Sequence, residues 1–459
     1  MAYDFRRGTI VNPSAPAGSL EAKLPYVDNG TATVDPARYH SREFMALEWE
    51  RLWPKTWLIA AVSTDLPEIG SYCLFEIGRE SFIISRTEAG VRAFYNVCTH
   101  RGTRLVAQPY GKKSFHVCPF HAWRFNHRGE LLGVTDRETF RDEVLCEARG
   151  LAEIRCEEYA GIVFVNMDEH APPLRERIGL PPGYLEAYGI DRMKVVRHVQ
   201  TEWAANWKIG VEAFYESYHL HVVHPETRYV MADLAVQYDL YPHGASRMIV
   251  PIGQMSPRIK DQDTLNDGLA YMLQTVGVDP TSHQGDARGV RAAIARAKRA
   301  NAAKSGVDYA HFSDGQLTDS WATGIFPNVQ IGCHPEGVFL MRFLPHPTDP
   351  ERFFYNTMTL IRTSEDPHHK APDWMGIPEG TDLSGRVRPP LEKFGVGEDG
   401  NLGQVLSQDA ELLPEVQRGV RSRGFKGQLW GEQEQRLRHF HAELERYLAD
   451  DRESGSRGA

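Results

Sequence analysis

Apolar positions change their spacing several times along the chain, and each change predicts a different kind of element. Residues 1 to about 35 show no period and are rich in Pro, Gly and Ala, which predicts an extended arm. Asp35-Pro36 then reads as a helix cap with Pro at the first helical position. Phe44, Leu47, Trp49, Leu52 and Trp53 follow at helical spacing across Ala37 to Trp53. From Trp57 to about Val165 the pattern becomes short β-rich runs: Tyr72 to Ile77, Ser81 to Ser85, Arg92 to Val97 and Ile162 to Asn166. Gly70, Gly78, Gly90, Gly111 and Gly129 punctuate them as turns, so this stretch is expected to be a small all-β module.

Leu174 to Tyr188 reads as loop-rich, with Pro181-Pro182 inside it. A helical stretch runs from Asn206 to about His224, where Pro225 ends it. Residues 257 to about 314 are polar, and Gly289 to Ala303 within them predicts a basic, alanine-rich helix on an exposed insert. Trp321 to Leu344 and Phe353 to Leu360 alternate like strands of an antiparallel sheet. Residues 364 to 400 are rich in Pro and Gly and read as a long loop. A helical region from Val405 to about Leu448 and a disordered polar tail to Ala459 complete the chain. No internal repeat is seen. The expected division is an arm and helix packed on the core (1–54), the all-β module (55–165) and a larger domain (166–459), giving an α+β protein.

The chemistry begins where the strand Arg92 to Val97 ends. Cys98-Thr99-His100 is followed, after seventeen residues, by Cys118-Pro119-Phe120-His121. Cys98, His100, Cys118 and His121, as C-x-H and C-x2-H, match the ligands of a Rieske 2Fe–2S cluster, two thiolates on one iron and two imidazoles on the other. Imidazole ligation raises the potential to about −150 to +300 mV, against about −400 mV for an all-cysteine plant-type cluster. Structural zinc also takes two cysteines and two histidines, but it pairs like with like, as C-x2-4-C and H-x3-5-H. His116 and His127 fall outside the spacing and are expected at the surface or in loops.

A second cluster of ligands lies between Asn206 and Pro225. His219 and His224 are five apart, which on a straight helix puts them about 140° apart. They face one metal only if the helix ends or distorts there. His221 points elsewhere. Two histidines and one carboxylate form the facial triad of non-heme Fe(II) oxygenases, which keeps positions open for O2. On the residues alone, the carboxylate is Glu212, Glu216 or a distant residue.

With both motifs in hand, the chain resembles the α subunits of the Rieske non-heme iron oxygenases, the aromatic-ring-hydroxylating family. The resemblance rests on Asn96 to Arg104, Cys118 to Phe125, Asn206 to Pro225 and Phe326-Pro327-Asn328, with Gln408-Asp409, Gln417-Arg418-Gly419 and His439-Phe440-His441. It implies a Rieske domain ahead of a catalytic domain whose antiparallel sheet is covered by helices, in a helix-grip-like arrangement. It also implies that Asp409, eight residues before Gln417, is the third iron ligand, with Glu411 as the weaker alternative. Glu216 matches a family residue that bridges a cluster histidine of one chain and an iron histidine of its neighbour. Many ring dioxygenases have Asp there; Glu resembles a branch that oxidises quaternary ammonium compounds. Ala213 and Pro414 depart from residues common in the family.

The resemblance further implies electrons from NAD(P)H through a flavin reductase, a ferredoxin or both, and a homotrimer (α3) or α3β3 assembly. The first substrate expectation is an aromatic or polycyclic compound, in a pocket walled by Phe214, Tyr215, Tyr218, Phe326 and Phe339. The alternative is monooxygenation of a quaternary ammonium or other small substrate with C–N or C–O cleavage, the same rings acting as a cation cage. An electron carrier without a second iron is a rival of another class, but the module fills only the first third of the chain.

Bulk composition narrows the partners. A formal net charge of −9 argues against nucleic acid. Lys112-Lys113 and Arg101 to Arg104 near the cluster ligands read equally as a docking patch for an acidic carrier or as solvated charge. Cys73, Cys146, Cys156 and Cys333 are scattered and expected to be buried apolar residues in a reducing compartment. With no apolar leader and no membrane-length run, a cytoplasmic protein is expected.

Overall fold

The computed structural model describes residues 6–145, 149–302, 307–363 and 375–449. Ten short strands follow the first helix: β1 (Leu58–Val62), β2 (Ser71–Ile77), β3 (Glu80–Thr87), β4 (Gly90–Tyr95), β5 (Tyr110–Lys112), β6 (Phe115–Val117), β7 (Arg124–Asn126), β8 (Leu131–Gly133), β9 (Glu153–Tyr159) and β10 (Ile162–Asn166). Seven form one sheet in the order β1-β10-β9-β4-β3-β2-β5, and β6-β7-β8 form a small second sheet. β2 shows why a strand forms here: Phe75 and Ile77 are buried while Glu76 between them is exposed.

Eight further strands build the larger sheet: β11 (Lys194–Trp203), β12 (Gln237–Leu240), β13 (Ser246–Val250), β14 (Ser320–Ile325), β15 (Val329–Cys333), β16 (Gly337–Pro345), β17 (Phe353–Ile361) and β18 (Leu391–Phe394). Their order is β12-β13-β14-β15-β16-β17-β11-β18. All neighbours are antiparallel except β18, which runs parallel to β11. Thus the stretch 364–400 is not all loop: it contains this edge strand, and residues 364–374 lie outside the described residues.

The Trp207–Phe214 helix lies on β15, β16 and β17. Asn206 caps it, its side chain accepting from Lys208 N at 3.0 Å. Gly210 permits the close approach, because a Cβ there would sit 2.6 Å from Phe353 Cζ. Beneath it, Lys208 and Glu48 form a buried ion pair at 2.6 Å that ties in the Arg42–Arg51 helix. Behind these, two C-terminal helices, Gln404–Val420 and Gln435–Leu448, replace the single region expected from 405 to 448. The N-terminal arm clasps β12 and β13: Leu24 N donates to Asp239 at 2.7 Å, and the buried Asp239–Arg247 pair holds Ala22 O.

Several expectations need correction. The Val290–Ala300 helix is no exposed insert. Val290, Ala293, Ile294 and Ala297 recur at i, i+3, i+4 and i+7 and are buried, the first three packing with Met255, Leu269 and Leu273. Three of its four basic residues are engaged by acids, Arg291 with Asp319 at 2.7 Å, Lys298 with Glu336 at 2.7 Å and Arg299 with Asp314 at 2.8 Å. The loop-rich stretch from Leu174 opens with a single helical turn, Leu174–Arg177. The predicted helix from Ala37 begins as a 3-10 turn, Pro36–Tyr39, and the α-helix starts after the Ser41 cap. His116 is buried on β6 against Tyr72, where burial pushes its pKa down to about 4. Cys73 and Cys333 are buried, Cys156 is half-buried, and Cys146 and the tail from 450 lie outside the described residues. Among the described residues no helix is long and apolar enough to cross a membrane.

His334, after β15, gives a pH prediction. Burial pushes it down to about 4, against an ordinary 6.5. Between those values the unfolded chain binds a proton that the folded chain refuses. Stability therefore falls as pH drops below 6.5, by up to about 1.4 kcal/mol per pH unit from this group. His334→Gln should flatten the decline of the urea midpoint between pH 7 and 5; an unchanged slope would mean that the imidazole protonates in place.

Candidate metal centres

Two turns of similar build hold the four residues of the first motif. After β4, Cys98 N donates to Thr103 O at 2.8 Å and Gly102 N to Cys98 O at 3.0 Å. Between β6 and β7, Cys118 N donates to Trp123 O at 2.8 Å and Ala122 N to Cys118 O at 3.0 Å. Each turn closes through a left-handed residue, Gly102 (φ 78°) and Ala122 (φ 57°). The two turns face each other, with the His100 and His121 rings 4.7 Å apart and His100 stacked on Trp123 at 4.6 Å.

The Nδ1 atoms of His100 and His121 are buried without a hydrogen-bond partner, and both thiols are buried. Burial pushes the Cys98 thiol up. At Cys118 burial acts the same way, but the His121 and Phe120 N–H groups and the neighbouring Cys98 thiol outweigh it and hold the thiol below its ordinary range. Two orphaned imidazole nitrogens beside two thiols, one already eased toward thiolate, fit a 2Fe–2S cluster of mixed ligation.

The second motif works because its helix breaks. The Trp207–Phe214 helix stops, Glu216 folds back so that Oε2 accepts from the backbone N–H groups of Tyr218 and His219, and a one-turn helix, Leu220–Val223, follows. His219 and His224 flank that turn with rings 5.2 Å apart. Ser217, inside the break, is fastened to Tyr238 through their hydroxyls at 2.6 Å.

Asp409 reaches the pair from the Gln404–Val420 helix. The ligand atoms of His219, His224 and Asp409 all lie within 4.8 Å of one another. Asp409 Oδ1 is 3.3 Å from His224 Nε2 and 3.8 Å from His219 Nε2. The opposite ring nitrogens are both occupied. His219 Nδ1 binds Glu216, and His224 Nδ1 binds Gln408 Oε1 at 2.6 Å. Each bond fixes its imidazole with Nδ1 protonated and Nε2 free to ligate. Burial pulls His224 down, but Asp409 and Gln408 outweigh it and hold the imidazole above its ordinary pKa. Two neutral nitrogens and one carboxylate suit Fe(II) with open positions.

The other candidates point elsewhere. Glu212 accepts from Tyr39 OH at 2.7 Å and pairs with His441 Nε2 at 2.7 Å. Glu411 is exposed on the far side of its helix. His221 lies 3.9 Å from Asp233. Of the expected pocket aromatics, Tyr215 and Phe326 are buried, Phe214 and Phe339 are half-buried and Tyr218 is exposed. Phe214 packs on Phe343 and Tyr355, Phe326 on Phe440 and Tyr447, and buried Tyr215 donates to Val329 O at 2.7 Å. The spacing of ligand residues does not mark Gln408 as a contact of the site; its place beside Asp409 is the one signal in the sequence. Gln408→Leu should leave His224 Nδ1 without an acceptor and weaken Fe(II) binding by about 10- to 100-fold, read by iron titration of the apoprotein. Unchanged affinity would remove Gln408 from the site.

Residues 56–144 match the model of the Rieske 2Fe-2S domain, and residues 190–450 match that of the ring hydroxylating α subunit, catalytic domain. The chain belongs to the ring-hydroxylating α-subunit family. Among its relatives, the glycine betaine monooxygenase oxygenase subunit of Chromohalobacter salexigens is 29% identical over 50% of this chain and 50% of that protein. The carnitine monooxygenase oxygenase subunit of Escherichia coli K12 is 35% identical over 45% of this chain and 55% of that one. The chain thus spans about half the length of the curated relatives it matches. In fold the likeness is longer. A quaternary ammonium Rieske monooxygenase in complex with L-carnitine superposes with a TM-score of 0.62 at 21% identity, covering 92% of this chain and 97% of that one. Naphthalene 1,2-dioxygenase with indole bound gives 0.65 at 18%, covering 92% and 93%.

Proposed function

We propose that this chain is the oxygenase component of a Rieske monooxygenase that oxidises a small quaternary ammonium compound, with C–N or C–O cleavage. The observation that carries the oxygenase reading is the His219, His224 and Asp409 group. Three donors from two distant parts of the chain converge, and both imidazoles are fixed to present Nε2. Cys98, His100, Cys118 and His121 hold the cluster in residues 55–165, behind the arm and helix of 1–54, and residues 166–459 hold the iron. When bound, the cluster supplies single electrons and the iron supplies open positions for O2.

The residues of the chain do the positioning. Glu216 and Gln408 hold the histidine rings, and Asp409 brings the negative charge. The electrons come from a separate NAD(P)H reductase, with or without a ferredoxin. Copies of the chain join as a trimer, alone or with a small β subunit, so that one copy's cluster meets the next copy's Glu216. Exposed Val97, Phe115, Val117, Phe120 and Leu132 around the cluster turns suit burial against such a neighbour.

The quaternary ammonium substrate is favoured over the aromatic one by the two curated relatives and by Glu216 at a position where many ring dioxygenases have Asp. The test is turnover with a reductase on glycine betaine, carnitine and naphthalene, scored for aldehyde and for dihydrodiol. Aldehyde from a quaternary ammonium substrate is the expected result; dihydrodiol alone would overturn the substrate class.

A further inference from the structure

A cavity of about 100 Å³ lies where β1, β2 and the Ala107–Tyr110 loop meet the edge of the larger sheet. None of the proposed metal ligands lines it. At about 30 Å³ of liquid volume per molecule it has room for about three waters or one small ion. Exposed Glu76, Ala107 and Lys393 form its rim, and Arg342, Arg388, His198 and Asn356 form its polar wall.

The charges on this wall do not cancel. Arg342 is 5% exposed, and its N–H groups go to neutral oxygens: Asn356 Oδ1 at 3.1 and 2.7 Å, Ile59 O at 3.1 Å and Ala60 O at 3.1 Å. Among the described residues no carboxylate comes within 4.0 Å of it. Asp65 lines the same cavity but spends both oxygens on Arg388, at 2.8 and 3.0 Å. Glu76 at the rim is taken by Arg104. His198 adds no charge: its Nδ1 accepts from Arg388 at 3.1 Å, leaving Nε2 to donate to Asn356 at 3.3 Å. Arg342 and Lys393 are therefore left without an ion-pair partner among the described residues, Asp65 acting on Arg342 only from beyond 4.0 Å.

A buried cation without an ion-pair partner is costly, and the remaining Nη2–H of Arg342 and the Lys393 ammonium are donors to which an oxyanion can bind. We propose that this cavity binds one small oxyanion, a phosphate or a carboxylate, between Arg342 and Lys393 at the junction of the β module and the larger sheet. Burial, then the neighbouring Arg388, pulls Arg342 down to about 10, so it still carries its charge at neutral pH. The anion bridges the two domains, and the folded protein gains stability in proportion to its occupancy.

The test is equilibrium dialysis of the iron-loaded holoenzyme with labelled inorganic phosphate at constant ionic strength. Saturable binding of about one phosphate per chain is expected, weakened at least tenfold by Lys393→Glu and lost in Arg342→Met. Where Arg342→Met fails to fold, Lys393→Glu at the exposed rim decides alone. The thermal midpoint should rise with phosphate in the wild type and much less in Lys393→Glu, whereas a general salt effect would raise both equally. Displacement by acetate would identify a carboxylate as the occupant, and displacement by sulfate alone an inorganic oxyanion; either supports the site. No saturable binding, or binding unchanged by Lys393→Glu, would overturn it.

Discussion

Asp409→Ala is expected to empty the mononuclear site while leaving the cluster intact. Asp409 is the single carboxylate among the three converging donors and is only 5% exposed. Without it, two neutral imidazoles face a divalent cation, and the charge that offsets desolvation of Fe(II) is gone. Iron per chain should fall by about one, and product formation by at least about two orders of magnitude. The visible spectrum should not change, because Cys98, His100, Cys118 and His121 sit on turns of a different sheet system. Iron analysis, the absorption spectrum and product yield together make the test. Full iron with retained turnover would show that another residue, or none, is the third ligand.

The two sites differ in how far the sequence reveals them. The cluster turns are local: each supplies one Cys and one His within four residues, and the strands that carry them alternate cleanly. The iron site is not local. Its histidines sit five apart, which argues against one straight helix, and the break after Phe214 resolves the conflict. The break is held by contacts no periodicity can show, Glu216 to the backbone of Tyr218 and His219, and Ser217 to Tyr238 twenty-one residues away. Asp409 was reachable only through resemblance, since 185 residues separate it from His224. Two misreadings have plainer causes. The basic residues of the Val290–Ala300 helix suggested exposure, although its apolar positions already followed a core-facing stripe. The place of His116 beside a metal motif suggests a loop, yet alternation on β6 turns it inward between exposed Phe115 and Val117.

Glu216→Gln is expected to stop turnover even where both metals are restored. Glu216 uses one oxygen for the backbone N–H groups of Tyr218 and His219 and the other for His219 Nδ1. A carboxylate can accept on both sides; an amide cannot. Whichever way Gln turns, its NH2 group meets a donor, and one side is left unpaired at a cost of about 1–3 kcal/mol. The His219 ring loses its fixed orientation, so Fe(II) affinity should fall by about 10- to 100-fold, recoverable at saturating Fe(II). The proposed second role of Glu216, joining one copy's cluster histidine to the next copy's iron histidine, has no such remedy, because it needs the negative charge between two N–H donors. At saturating Fe(II), the pre-reduced Glu216→Gln protein mixed with substrate and O2 should hold its reduced absorption spectrum far longer than the wild type, and Glu216→Asp should recover part of the rate. If the spectrum returned to the oxidised form at the wild-type rate, Glu216 would be a positioning residue for His219 and nothing more.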